Sequence, residues 1–138
     1  STLRLKSGDP LEIFTERDEL MLKKYSPIAS LEKFSEGTAK SLNDLSGHLA
    51  LICDTDEVLY AAGAGRRELH GKSISAAMDR ILETAASSVT AQIIVPIASG
   101  GDCLGAVALV STEQGAKMEA GAIKLAQLSA TILANQFD

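Results

Sequence analysis

The chain has no tryptophan and few aromatic residues of any kind, with three Phe and two Tyr in 138 residues. Ala, Ile, Leu and Val must therefore fill any core, and the 46% hydrophobic content is enough for one. The two cysteines, Cys53 and Cys103, stand in unrelated contexts. That excludes a disulfide framework and points to a reducing, cytoplasmic setting. No apolar run reaches the ~20 residues of a membrane span, so no membrane partner is expected. The N-terminus is polar and strand-like, unlike a signal peptide. The chain opens on Ser1 rather than Met, which reads as missing upstream residues.

Concentrated positive charge is also lacking. There are 13 Lys and Arg against 18 Asp and Glu, a net charge of −5. Residues 1–27 balance to zero, with five basic and five acidic side chains. Non-specific nucleic-acid affinity comes mainly from clustered Lys and Arg on phosphates. The pairs Lys23-Lys24 and Arg66-Arg67 are too small for that.

Motifs of catalysis are scarce. No GxSxG elbow is present, and no loop offers a paired acid and base, so the chain does not read as an enzyme. No CxxC or HxxxH pair exists to assemble a metal site from Cys53, Cys103, His48 and His70, and neither metal nor cofactor is expected. A free buried thiol acting as a small hydrophobe is the simpler reading of the cysteines. Gly71-Lys72-Ser73 has the end of a P-loop, but Arg66 stands where its first glycine belongs.

What is present is a clear succession of elements. Gly8-Asp9-Pro10 signals a turn. Leu11–Phe14 and Leu20–Tyr25 then read as two short strands joined by the charged turn Glu16–Glu19. A lone two-stranded hairpin is marginal in water. This one is apolar on both faces, so it requires a partner, either a second copy or missing upstream strands. Ser26-Pro27 opens a helix with apolar positions at Ile28, Leu31, Phe34, Thr38, Leu42 and Leu45, ended by Ser46-Gly47. His48–Cys53 and Val58–Ala62 are strands around the turn Asp54–Glu57. A glycine-rich loop, GAGRRELHGKS (Gly63–Ser73), leads into a helix from Ser75. Ala91–Ala98 and Cys103–Thr112 form a hairpin about Ser99–Asp102, in which Gly105 permits a bulge or close approach. The last helix, Lys117–Phe137, carries one stripe of Ile123, Ala126, Ala130, Leu133 and Phe137 and another of Leu125, Leu128 and Ile132. A helix apolar on two sides packs against two things, here its own sheet and a neighbouring helix.

The order α-β-β-α-β-β-α after the hairpin predicts an α+β domain. Its antiparallel sheet carries the first and last helices on one face and the loop with the middle helix on the other. Glycine-rich loops can present N–H groups to an anion, with charge from Arg66, Arg67 and Lys72; a plain surface loop is the competing reading.

The segment TLRLKSGDPLEIFTERDELMLKKYSPI (Thr2–Ile28) closely resembles the second half of the AbrB-type swapped-hairpin DNA-binding domain. GHLALICDTDEVLYAAG, GKSIS and VPIASGGDCLGAVALVS resemble the GAF domain that follows it in some sporulation regulators. The resemblance covers nearly the whole chain, although Ser75–Ile94 is shorter than the family's. It implies a C-terminal half of a swapped-hairpin β domain over 1–27 and a GAF-like sensor or dimerisation domain over 28–138, with 28–46 as connecting helix. It implies a DNA-binding transcriptional regulator, homodimeric through hairpin exchange and the terminal helices. Of the positions matching the DNA-binding half, Arg4, Lys23 and Lys24 look like flank or scaffold, since the family's main DNA contacts lie upstream. The chain as it stands is thus expected to bind DNA weakly, and DNA is a partner of the longer protein. A small-molecule pocket of the GAF type would be lined by Tyr60, Arg66, Ser73 and the inward side chains near Cys53 and Leu104. The alternative is a ligand-free dimerisation scaffold with a side-chain-filled pocket. An enzyme or a roadblock-like interaction domain ranks last.

Overall fold

The computed structural model describes residues 26–84, 91–111 and 118–138. The expected hairpin, with Arg4, Lys23 and Lys24, lies outside the described residues. Ser26 Oγ accepts the Ala29 N–H at 3.3 Å, and Pro27 (φ −56°) leads into a 3-10 turn over Ile28–Leu31. Leu31 departs from helical geometry (φ −107°, ψ 49°) before α1, Glu32–Ser46. The helix expected to run unbroken from Ser26 is therefore a tight turn followed by a re-registered α-helix. Gly47 closes α1 in the left-handed region (φ 76°), its N–H donating to the Asn43 carbonyl.

Strands β1, Leu49–Cys53, and β2, Val58–Ala62, pair antiparallel. Asp54 shapes their turn: its Oδ1 accepts the N–H groups of Asp56 and Glu57 at 2.7 and 2.8 Å. Helix α2, Ile74–Thr84, starts where Ser73 Oγ accepts the Ala76 N–H at 3.2 Å. Strands β3, Ala91–Ser99, and β4, Asp102–Ser111, form a hairpin. Gly100 and Gly101 turn it with φ of 62° and 86°, the sign a type I′ turn requires. Helix α3 is Ala120–Asn135.

The sheet order is β2-β1-β4-β3, antiparallel throughout. The central strands β1 and β4 are covered on both faces, which explains their unbroken apolar runs, LALIC and VALV. Their register sets small against large: Ala50 faces Leu109, Leu51 faces Ala108 and Cys53 faces Ala106. Alternation of side chains then divides the core in two. Ala50, Ile52, Ala62, Ile97, Val107 and Leu109 pack under α1 and α3. Leu51, Cys53, Val58, Ala108 and Val110 pack with Leu69, Ala77 and Ile81 from the loop and α2. The helix layers therefore lie where the element order placed them.

Two close approaches fix this arrangement. A Cβ on Gly105 would lie 2.0 Å from the Cys53 carbonyl oxygen, 2.7 Å from Ile28 Cδ1 and 2.9 Å from Asp54 Cα. The strand exit of β1 thus crosses directly over β4, and Ile28, fully buried, fills the remaining space. Gly63 (φ 118°) sits where a Cβ would be 2.7 Å from Asn43 Nδ2. Asn43 Nδ2 donates to the His48 carbonyl at 2.8 Å, joining the end of α1 to the start of β1.

Candidate functional site

Two surfaces flank α1. The first is a polar groove of about 420 Å³ between α1, the edge strand β2 and the Gly63–His70 turn. Helical spacing puts Glu36, Lys40, Asn43 and Asp44 on one side of α1, and these form one wall. Arg66 and His70 form the other, and Tyr60, Ala61 and Ala62 form the floor. Burial, then the carboxylates of Glu32 and Glu36, raises the Tyr60 phenol above its ordinary value. It is therefore a neutral hydroxyl, a donor as well as an acceptor, at neutral pH.

The second surface is an apolar groove of about 530 Å³ where α1 and α3 pack side by side. Phe34 is 42% exposed, Leu45 71%, Leu128 55% and Ile132 39%. The apolar positions of α1 thus split between two directions. Ile28 of the preceding turn, Ala39 and Leu42 enter the core, whereas Phe34 and Leu45 face out. Helix α3 divides likewise: Ala126, Ala130 and Leu133 are buried against the sheet, and Leu128 and Ile132 line the outer groove.

Of the five residues expected at a ligand pocket, Tyr60 and Arg66 share the polar groove. The other three lie elsewhere. Cys53 is buried on the α2 side of the sheet, its thiol pushed up to about 11 by burial and by Asp54. Ser73 is exposed and caps α2. Leu104 packs against the cluster on the opposite face and borders a recess of about 120 Å³ with Ser26, Asp54 and Cys103. The space beneath the loop on the α2 side, lined by Leu49, Leu69 and Ile81 among others, amounts to about 160 Å³. That is less than the ~300 Å³ at which small-molecule pockets begin. His70 is exposed and borders the groove beside Tyr60, a neighbourhood the sequence did not reveal, and the polar wall of α1 was missed as well. The i, i+4, i+8 spacing of Glu36, Lys40 and Asp44 is the signal that was available.

Two ion pairs lie away from both grooves. His48 Nε2 meets Glu119 Oε1 at 2.9 Å at the entry to α3. Arg80 of α2 pairs with Glu68 of the loop. Among the described residues, no three His, Cys, Asp or Glu side chains gather as metal ligands. No helix among them is long and apolar enough to cross a membrane.

A four-stranded antiparallel sheet with terminal helices on one face and a loop and helix on the other is a GAF-like fold. The GAF domain of the nutrient sensor CodY from Clostridium difficile, described as cofactor binding, superposes with a TM-score of 0.53. It is 13% identical and matches 75% of this chain and 83% of its own. A domain of a two-component sensor histidine kinase protein from Sinorhizobium meliloti 1021 gives 0.56 at 15% identity, over 77% of this chain and 90% of its own. At such identities the likeness is one of fold. The sequence itself identifies the family. The model for "Stage V sporulation protein T C-terminal, transcription factor" matches residues 30–90 and 80–138. Stage V sporulation protein T of Bacillus subtilis (strain 168) is 40% identical over 131 residues, covering 82% of this chain and 74% of that protein. The chain belongs to the stage V sporulation protein T family.

Proposed function

We propose that this chain is the dimerising, regulatory part of a cytoplasmic DNA-binding transcriptional regulator, not an enzyme, and that two copies associate through the groove between α1 and α3. The observation that carries this reading is the seam of Phe34, Leu45, Leu128 and Ile132, four large apolar side chains left in solvent on adjacent helices. Contiguous exposed apolar surface of this kind marks interaction sites. A second copy of the chain offers a complementary surface of identical composition. Residues 1–27 serve as the partial swapped-hairpin segment and residues 28–138 as the GAF-like unit. Residues 28–46, beginning at the buried Ile28, connect them.

DNA contact belongs to the upstream basic half together with the hairpin, where Arg4, Lys23 and Lys24 act as flank. The test is DNA binding by the chain restored with its upstream half, read by fluorescence anisotropy over a salt series. A steep fall of affinity with salt is expected, with weaker binding when Leu128→Lys and Ile132→Lys open the seam. Absence of salt-dependent binding, or full affinity in the seam variant, refutes the proposal.

Small-molecule sensing is a second reading, favoured by the polar groove at the Gly63–His70 turn. Its volume of about 420 Å³ is of ligand size. The small space of about 160 Å³ on the α2 side supports the scaffold alternative for that face alone. Helix α1 walls both the polar groove and the seam, so a ligand that favours one position of α1 would favour one dimer geometry.

A further inference from the structure

We propose that the groove between α1 and the Gly63–His70 turn binds a small zwitterion, a molecule carrying one ammonium and one carboxylate, of amino-acid to dipeptide size. This rests on the sensing reading and names its ligand.

The groove holds charges of both signs that do not neutralise one another. Glu36, Lys40 and Asp44 follow each other at four-residue steps along α1 and span about 12 Å of its length at 1.5 Å per residue. Arg66 and His70 stand across from them. The ion pairs among the described residues are His48–Glu119, Arg80–Glu68 and Arg80–Glu83, and none joins Glu36, Lys40, Asp44 or Arg66 to another. Charges four apart on a helix are near neighbours; here no ion pair among the described residues engages them.

Elimination then narrows the class. A purely anionic ligand would face Glu36 and Asp44 without compensation. A purely cationic one would face Lys40 and Arg66. A neutral apolar ligand would find a floor of two alanines and one half-buried tyrosine. A molecule with both charges satisfies both walls. The Arg66 guanidinium is a planar fork suited to a carboxylate. Glu36 and Asp44 suit an ammonium, and the Asn43 side-chain oxygen, engaged with no described residue while its Nδ2 holds His48, adds a neutral acceptor. The Tyr60 hydroxyl can serve either end.

The test is an amide chemical-shift titration of the whole chain with the twenty free amino acids and a set of dipeptides, tested separately. Each hit is repeated as its N-acetyl and methyl-ester derivative. Binding is expected to centre on Tyr60, Ala61 and Arg66. Each blocked derivative should bind about tenfold more weakly or worse, the worth of one charge-assisted hydrogen bond. Glu36→Gln and Arg66→Gln should weaken it similarly while melting like the parent, because both side chains are exposed. Dipeptides binding where free amino acids do not would fix the size without altering the class. Equal binding of the N-acetyl form overturns the zwitterion, as does silence of the groove amides at millimolar concentration. A fragment library on the same amides separates the two levels: a hit of other chemistry sinks the zwitterion and leaves sensing intact, and silence there too sinks both.

Discussion

Replacing Gly105 by alanine puts a methyl group into space already occupied by backbone. The new Cβ would stand 2.0 Å from the Cys53 carbonyl oxygen, an ångström inside the 3.0 Å that such atoms keep, and 2.9 Å from Asp54 Cα. Neither neighbour is the end of a flexible side chain. Cys53 is the last residue of β1 and pairs with Ala106, and Asp54 is committed to the turn. Relief requires the end of β1 to lift from β4, breaking the central pairing of the sheet. The third neighbour, Ile28 Cδ1 at 2.7 Å, must also leave a fully buried site. Overpacking a core costs about 1–3 kcal/mol and occasionally more. With two backbone clashes, we expect Gly105→Ala at the top of that range, about 3 kcal/mol. For a domain of this size, that lowers Tm by roughly 10 °C. Urea unfolding followed by circular dichroism gives the difference from a shifted midpoint at unchanged m-value. Ile28→Val removes Cδ1 and costs about 1 kcal/mol by itself, but it cannot rescue Gly105→Ala because the carbonyl remains. A Gly105→Ala protein within about 0.5 kcal/mol of the parent, the range of an ordinary surface change, would refute the crossing of β1 over β4.

Thiol chemistry and pH supply further tests. With the Cys53 thiol pushed up to about 11, only about one molecule in a thousand carries its thiolate at pH 8. A thiol reagent should therefore modify exposed Cys103 promptly and reach Cys53 only on unfolding; rapid labelling of both would contradict the burial. The hydrogen bond from His48, with a backbone N–H in second place, holds the Glu119 carboxyl below its ordinary value. A carboxyl depressed in the folded state contributes stability above its unfolded pKa of about 4.3 and loses it as pH falls through the folded value. Glu119→Gln should accordingly be slightly less stable than the parent at pH 7, the gap closing as pH falls below the ordinary carboxyl range. A gap that persists once the carboxyl is protonated would mean the contact acts through packing alone.

The element order and both helix layers were legible because the apolar periods are clean. The first stripe of α3 predicted its contact with the sheet, while Leu128 and Ile132 of the second remain exposed; Ser99–Asp102 named the β3–β4 turn. The first helix was less legible. Its apolar positions from Ile28 to Leu45 look like one seam, but the 3-10 turn at Ile28–Leu31 shifts the register. Ala39, a small residue without much hydrophobic weight, takes the core face that Phe34 and Leu45 leave. Gly105 announced a close approach, though not what approaches. The polar groove was hardest to read. Tyr60 and Arg66 are near in sequence, but the wall opposite comes from α1, some twenty residues away. Ser73 and Leu104 looked equivalent to them along the chain; one serves a helix cap, and the other packs against the same core cluster as Tyr60 but borders a separate recess.

Sedimentation equilibrium of the chain and of its Leu45→Lys/Leu128→Lys variant tests the central claim most directly. The account predicts a species of twice the 14.5 kDa chain mass, or a multiple of it. The variant should dissociate at concentrations about tenfold higher or more, as expected when charge replaces buried apolar anchors. A parent chain that sediments at 14.5 kDa across the micromolar range, or a variant that associates as tightly as the parent, contradicts it.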